Sequence, residues 1–170
     1  MKTTSKLVLA IAFIALCSNV SAQTLKFAHI NLSDLIVTMP EYDTAQVKLQ
    51  KVAQELDQVM EEMRVEMNRK WDDYQKNQAN WSDLVKQSKM DDLNSIQQRI
   101  QAFQEQAQET YQQENDKLLQ PVVEKANKAI DTVAKEQGVN VVLNAQVLHY
   151  KDASMLDLLP AVKKHLGITK

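Results

Sequence analysis

The chain contains few residues that interrupt regular structure. Its 170 residues include only two glycines, Gly138 and Gly167, and three prolines, Pro40, Pro121 and Pro160. Because glycine and proline are the residues that most often form turns and loops, their scarcity excludes a loop-rich fold. The length allows one domain of ordinary size. We therefore expect a small number of long elements.

Cysteine is nearly absent as well, since Cys17 is the only one. It lies in residues 1–22, which are typical of a cleaved secretory signal peptide: a positive start, an apolar stretch at 7–17 and a Val-x-Ala motif ending at Ala22. The apolar stretch is shorter than the roughly 20 residues of a membrane-spanning helix, and an uncleaved anchor helix is the alternative. Cleavage would leave an exported chain without disulfides, which packing or assembly must stabilise.

Positive charge is also in short supply. The sequence has 20 Lys and Arg against 22 Asp and Glu, and removal of Lys2 and Lys6 with the signal peptide leaves a net charge of about −4. Proteins that bind nucleic acids carry basic surfaces that neutralise phosphates. We therefore expect no nucleic-acid partner.

The residues that carry chemistry do not occur in catalytic or metal-binding patterns. The sequence has no Gly-rich phosphate loop, and its serines lack a nucleophile motif. The three histidines, His29, His149 and His165, do not have the spacing of metal ligands. We therefore expect no cofactor, no metal and no enzymatic activity.

Helix-forming residues dominate the chain after Asp43. Apolar residues recur there in steps of three and four up to about Gln78, which predicts one amphipathic helix. Asp43 and Gln46 resemble a capping box at its start. A polar turn follows at about 79–84, where Ser82 can cap a second helix with the same spacing.

Two helices joined by a short turn predict an antiparallel helical hairpin. An outgoing helix of about 37 residues would make this hairpin about 55 Å long. Each helix has one narrow apolar stripe, so the two can cover each other but enclose no core. We assign residues 43–120 to this arm, and residues 23–42 and 121–170 to a body that holds its base. Pro121 marks the point where the returning helix would be kinked or redirected.

The two ends of the chain have the composition of β-strands. Residues 25–31 alternate loosely in polarity. Gly138 is expected to end the returning helix, and residues 139–144 after it form a strand on which residues 147–150 can pair back as a hairpin. Pro160 suits the first turn of a short C-terminal helix.

Three short strands form a sheet that is only marginally stable alone, so we expect identical subunits to share their strands. The predicted fold class is α+β and mostly α: a long antiparallel helical hairpin that projects from a small, shared β body. The residues expected to build that oligomerisation body are Phe27, Ile30, Val139, Val141, Val142, Leu143, Val147 and Leu148.

Both ends carry a family resemblance. The stretches FAHINLSDLI (27–36) and GVNVVLNAQVLHYKDASMLDLLPAVKKHLG (138–167) resemble the Skp/OmpH family of periplasmic chaperones for outer-membrane proteins, and the arm between them has the right length. The resemblance implies a homotrimer in the periplasm, with three hairpins around a cavity. It also implies an ATP-independent holdase, which keeps unfolded outer-membrane β-barrel proteins from aggregating until they reach the outer-membrane assembly machinery.

The charge of the arm departs from that of the best-known family members, which are strongly basic and attract acidic clients and lipopolysaccharide. Residues 43–120 carry ten basic and fifteen acidic side chains. The family's lipopolysaccharide-binding site therefore cannot be carried over to any position here, and a transient contact with a membrane or with lipopolysaccharide stays open. We expect client capture to depend on apolar and aromatic contacts, with electrostatics secondary.

Methionine and tryptophan gather toward the tip of the arm. Methionine is flexible and polarizable, which suits a surface that accepts many sequences; alternatively, these side chains seal the two helices against each other. The candidates for client binding are Met60, Met63, Met67, Trp71, Trp81, Leu84 and Met90. The competing function is a periplasmic coiled-coil scaffold or spacer that binds one folded envelope partner.

Overall fold

The computed structural model of the protein describes residues 25–168. The predicted signal peptide, residues 1–22, lies outside the described residues. The elements in chain order are β1 (Phe27–Ile30), α1 (Leu32–Ile36), α2 (Pro40–Asn77), α3 (Asp83–Glu136), β2 (Val141–Asn144), β3 (Leu156–Asp157) and α4 (Leu159–His165), with short 3-10 turns at Gln78–Asn80 and Ala145–Val147. The fold is thus α+β and mostly α, as predicted.

Helices α2 and α3 form the predicted antiparallel hairpin. Helix α2 has 38 residues, so the arm extends about 57 Å at 1.5 Å per residue. The turn at the tip is short, and Ser82 caps α3 as expected, because its Oγ accepts a hydrogen bond from the Val85 N–H at 3.5 Å. Helix α3 has 54 residues and continues unbroken through Pro121 into the body.

The start of α2 differs from the prediction. The helix begins at Pro40 with Met39 as the N-cap residue, and Asp43 lies inside the first turn instead of capping it. Proline has no N–H to leave unsatisfied and its fixed φ suits the first helical position. Asp43 and Glu41 are then favourably placed, since carboxylates near a helix N-terminus interact with the helix dipole.

Both glycines of the chain end a helix. Gly138 has φ +66° and Gly167 has φ +71°, values that favour glycine because it has no Cβ. At Gly138 the N–H donates to the Lys135 carbonyl at 3.2 Å, and the Val139 N–H donates to the Ala134 carbonyl at 2.9 Å. This pair of bonds is a Schellman motif, and it confirms the predicted end of the returning helix.

The sheet is entirely parallel, which corrects the predicted C-terminal hairpin. The strand order is β2-β1-β3, and both outer strands run parallel to β1. Residues 147–150 form no strand: Val147 ends the 3-10 turn, residues 148–150 are irregular chain, and Val147 and Tyr150 are exposed. The third strand is instead Leu156–Asp157, which is too short to produce a pattern in the sequence.

The core of the described chain lies in the body. One face of β1, carrying Ala28 and Ile30, packs against the C-terminal third of α3, with α1 and α4 closing the sides. Its buried residues are Ala28, Ile30, Leu35, Met39, Val122, Ala126, Ala129, Ile130, Val133, Ala134, Leu158 and Val162. The prediction that the arm lacks a core of its own agrees with this distribution.

Candidate interaction surfaces

The distal end of the arm is an aromatic cluster. Trp71 stacks on Tyr74 with ring centroids 6.1 Å apart, and Tyr74 meets Trp81 edge-on at 5.9 Å. The Lys89 ammonium lies 5.1 Å from the Trp81 ring centroid, within the range of a cation–π contact. Trp71 and Trp81 are thus joined through Tyr74, which the sequence did not predict.

A few buried side chains and ion pairs join the two helices of the arm. Ala45 and Leu49 are buried near its base, and Leu93 and Ile96 are buried toward its tip. Four ion pairs also join α2 to α3: Glu41 to Lys125, Glu66 to Arg99, Lys70 to Asp92 and Asp73 to Lys89. Their side chains are largely exposed, so each contributes at most about 1 kcal/mol.

The predicted client-binding residues fall into two groups. The four methionines, Met60, Met63, Met67 and Met90, are half-buried, as a role in sealing the two helices requires. Leu84 is 81% exposed and Trp71 44% exposed, whereas Trp81 is half-buried. The structure therefore leaves Leu84 and Trp71 as the candidates most accessible to a partner.

Further apolar side chains lie exposed along the whole arm: Val47, Val59, Val65, Val85 and Tyr111. Val47 and Val65 lie off the apolar stripe of α2, whereas Val59 and Tyr111 belong to the predicted stripes and are exposed nevertheless. The set does not form one patch, since Val47 and Val65 alone are about 27 Å apart along α2 at 1.5 Å per residue. A dispersed set of this kind offers many weak contacts instead of one docking site.

The outer face of the sheet is only partly covered. Phe27 aligns with Val141, and His29 aligns with Leu143, so these four side chains share the face opposite Ala28, because side chains alternate along a strand. Phe27 is 46% exposed, and Val141 and Leu143 are half-buried. The outer edge of β2 pairs with no other strand among residues 25–168.

The other predicted body residues have different surroundings. Ile30 is 3% exposed and belongs to the chain's own core, against which Val139 and Val142 also pack. Val147 is 73% exposed, and Leu148 is half-buried. Phe27, Val141, Leu143, Val147 and Leu148 thus lie outside the chain's own core.

A buried histidine lies beneath the connection between β2 and β3. That connection, residues 145–155, joins strands on either side of β1, and Lys151 Nζ lies 3.2 Å from His29 Nε2. His29 is 5% exposed, and its Nδ1 is buried without a hydrogen-bond partner in the described chain. An ammonium can only donate, so a hydrogen bond between these two atoms requires Nε2 to be the acceptor.

Two carboxylates have lowered pKa values. The Lys125 ammonium donates to Glu41 and, together with a backbone hydrogen bond, holds the pKa of the Glu41 carboxyl below its ordinary value. The Ser154 hydroxyl and N–H donate to Asp152 and lower the pKa of that carboxyl. Both groups stabilise local structure, at the base of the arm and in the loop before β3.

The described residues hold no arrangement suited to a metal, since no three His, Cys, Asp or Glu side chains come together. Between residues 25 and 168, no helix combines the length and apolar character needed to cross a bilayer.

The sequence matches the family described as outer membrane protein (OmpH-like) over residues 26–166. The chain belongs to the OmpH-like family. This membership confirms the resemblance seen at the two ends of the sequence, and it supports the expectation that the OmpH-like protein is not an enzyme.

A solved structure has the same fold. It is a protein of Caulobacter crescentus CB15 described as a candidate outer membrane chaperone (OmpH-like), with a TM-score of 0.73 and 14% sequence identity over 86% of each chain. At that identity the likeness is one of fold. No curated protein sequence matches the chain. Family and fold together support a chaperone of the OmpH kind.

Proposed function

We propose that this OmpH-like protein is an ATP-independent holdase of the periplasm, which binds unfolded outer-membrane β-barrel proteins and prevents their aggregation before membrane insertion. The observation that carries the proposal is the distribution of apolar side chains on the arm. They are exposed from Val47 near its base to Leu84 at its tip and do not form one patch. Many weak, non-directional contacts suit clients that differ in sequence.

The holdase would act as a homotrimer. The outer face of the sheet exposes Phe27, Val147 is exposed in the turn that follows β2, and the outer edge of β2 pairs with no strand among residues 25–168. An exposed strand edge invites pairing with another chain, and the exported chain has no cysteine to stabilise a small sheet by a disulfide. Three copies joined through this face would place three arms around one cavity.

The test is the native mass of the exported chain mixed with an outer-membrane β-barrel protein freshly diluted from urea. We expect a trimer that carries one soluble client, and no complex when the same client is already folded. A trimer that leaves the client to aggregate would contradict the holdase. A monomer would contradict the assembly.

The competing function, a periplasmic scaffold or spacer, is favoured by the aromatic tip. Leu84 and Trp71 are exposed there beside Trp81, and such a patch fits one folded envelope partner. The scaffold role would belong to the tip if the protein bound a single folded protein tightly and Leu84→Asp abolished that binding. The same variant should still hold unfolded clients elsewhere on the arm. The proposed holdase would deliver its clients to the outer-membrane assembly machinery, and the tip is the part of the arm farthest from the body.

A further inference from the structure

The middle of the arm carries charge of one sign only. We call residues 52–63 of α2 and 100–116 of α3 the mid-arm belt. It contains eight carboxylates and no Lys or Arg; they are Glu55, Asp57, Glu61, Glu62, Glu105, Glu109, Glu114 and Asp116. The ion pairs Glu41–Lys125 and Glu66–Arg99 lie on either side of both segments, so the two halves of the belt are at the same level of the hairpin.

Six of these eight carboxylates form no ion pair among residues 25–168. Only Glu55 and Glu114 have a Lys partner among the described residues, and both of those lysines lie outside the belt. Three of the others accept hydrogen bonds from neutral amides instead: Gln58 donates to Glu62, Gln113 to Glu109 and Gln112 to Asp116, at 2.8 to 3.0 Å. An amide donor orients a carboxylate without cancelling its charge.

Apolar side chains are exposed among these charges. Val59 and Tyr111 lie within the belt, and Val65 follows it on α2. The belt holds no fully buried side chain, and no ion pair crosses between the helices within it. Glu105, Glu109 and Asp116 also line an open groove of about 530 Å³ along α3, with Gln108, Gln112 and Gln113.

We propose that the mid-arm belt is a docking surface for unfolded chain segments that carry net positive charge beside apolar and aromatic side chains. The inference rests on the proposed holdase and names the segments it selects. Apolar contact with Val59 and Tyr111 holds such a segment, while the unneutralised carboxylates attract its Lys and Arg and repel acidic segments. Electrostatics is thus a selecting force on this arm.

The test uses two unstructured synthetic peptides of equal length and equal Tyr, Leu and Gly content. One carries several Lys and the other the same number of Glu, and fluorescence anisotropy measures the dissociation constant of each for the purified protein. At about 0.05 M NaCl we expect the basic peptide to bind about tenfold more tightly. At about 0.5 M NaCl the two constants should converge, because salt screens exposed charges.

A fourfold variant locates the effect. Asp57→Asn, Glu61→Gln, Glu62→Gln and Glu109→Gln remove four belt charges and keep the side-chain size. The matched control removes four exposed carboxylates outside the belt, by Asp72→Asn, Asp91→Asn, Glu124→Gln and Asp131→Asn. We expect the belt variant to lose the preference for the basic peptide and the control to retain it.

Three results would overturn the proposal about the belt. Each of them differs from the result that would overturn the proposed holdase. Equal binding of both peptides at low salt would mean that charge does not select, and tighter binding of the acidic peptide would reverse the sign. Equal loss in both fourfold variants would assign the effect to net charge and not to the belt. Binding of neither peptide, with urea-diluted β-barrel proteins left to aggregate, would remove the proposed holdase itself.

Discussion

At the scale of single residues, the conformation of Gly138 is a requirement of the backbone. A Cβ added there would meet nothing within 4 Å, so its φ of +66° is the only obstacle to substitution. We expect Gly138→Ala to lower the free energy of unfolding by about 1 kcal/mol, and Gly138→Asn to lower it less, since Asn tolerates this conformation better. Urea unfolding followed by circular dichroism checks the order. Equal losses of unfolding free energy in the two variants would show that contacts, and not backbone conformation, determine the cost of substitution.

The Glu41–Lys125 pair makes a second prediction at this scale. Because the pKa of Glu41 is lowered in the folded chain, the pair stabilises the fold above the ordinary carboxyl pKa, and the contribution disappears as the pH falls through the lowered value. We expect Glu41→Gln to reduce the free energy of unfolding at pH 7, measured by urea titration, by less than about 1 kcal/mol because the pair is half exposed. The reduction should vanish once the pH lies below the lowered pKa of Glu41.

Asp43→Asn is the matched control for that measurement. Asp43 lies in the same first turn of α2, is exposed and has no ion-pair partner in the described chain. A loss at pH 7 as large as that of Glu41→Gln would assign the effect to the helix dipole instead of to Lys125.

At the scale of elements, the arm depends on a buried pair near its tip. Leu93 is 4% exposed and Ile96 2% exposed, and both lie between Asp92 and Arg99, which pair with α2. We expect Leu93→Ala to destabilise the distal half of the hairpin by about 2–5 kcal/mol. Amide hydrogen exchange should then rise in residues 60–110 and stay unchanged in the body, because the two regions have separate buried contacts.

Val65→Ala provides the comparison for Leu93→Ala. Val65 is 56% exposed on the same arm, so its truncation should leave exchange unchanged throughout. If Leu93→Ala accelerated exchange in β1 and β2 as well, the arm and the body would unfold together, and the two would not be separate units of stability.

The elements also show what could be predicted from the sequence. Helices of more than 35 residues repeat their apolar pattern many times, so α2 and α3 were predicted with their turn, and the Schellman glycine fixed the end of α3. The strands were harder, because the register and direction of a short strand depend on the neighbours it finds. Residues 147–150 have strand-like composition but no strand partner among residues 25–168, whereas Leu156–Asp157 pairs with β1 on only two residues.

The candidate surface was predictable only in part for a similar reason. A residue on the apolar stripe, such as Met63 or Met67, is half-buried whether or not it binds a client. Exposed apolar residues off the stripe, such as Val47 and Val65, become visible only when the phase of each helix against its partner is known. The carboxylates of the mid-arm belt could be counted from the sequence, but the ion pairs that place its two halves at the same level could not be predicted.

At the scale of the whole molecule, the proposed trimeric holdase predicts that assembly matters more than any one client contact. Many weak contacts along an arm mean that loss of one changes holding little, whereas separated subunits have no cavity. We therefore expect Val141→Asp or Leu143→Asp on the outer sheet face to abolish both the trimer and the holding of β-barrel clients. Trp81→Ala at the tip should reduce holding slightly and leave the native mass unchanged.

Val147→Asp keeps this comparison valid if a charge on β2 unfolds the protomer. Val147 is 73% exposed in the single chain and lies in the 3-10 turn that follows β2, so a carboxylate there costs the protomer little, yet it would be buried between subunits if the proposed assembly covers this turn. Native mass and light scattering of urea-diluted client are measured together on each variant. If Trp81→Ala lost more holding than Val147→Asp while both remained trimeric, the function would reside in the tip, and the cavity between the arms would not be what keeps clients soluble.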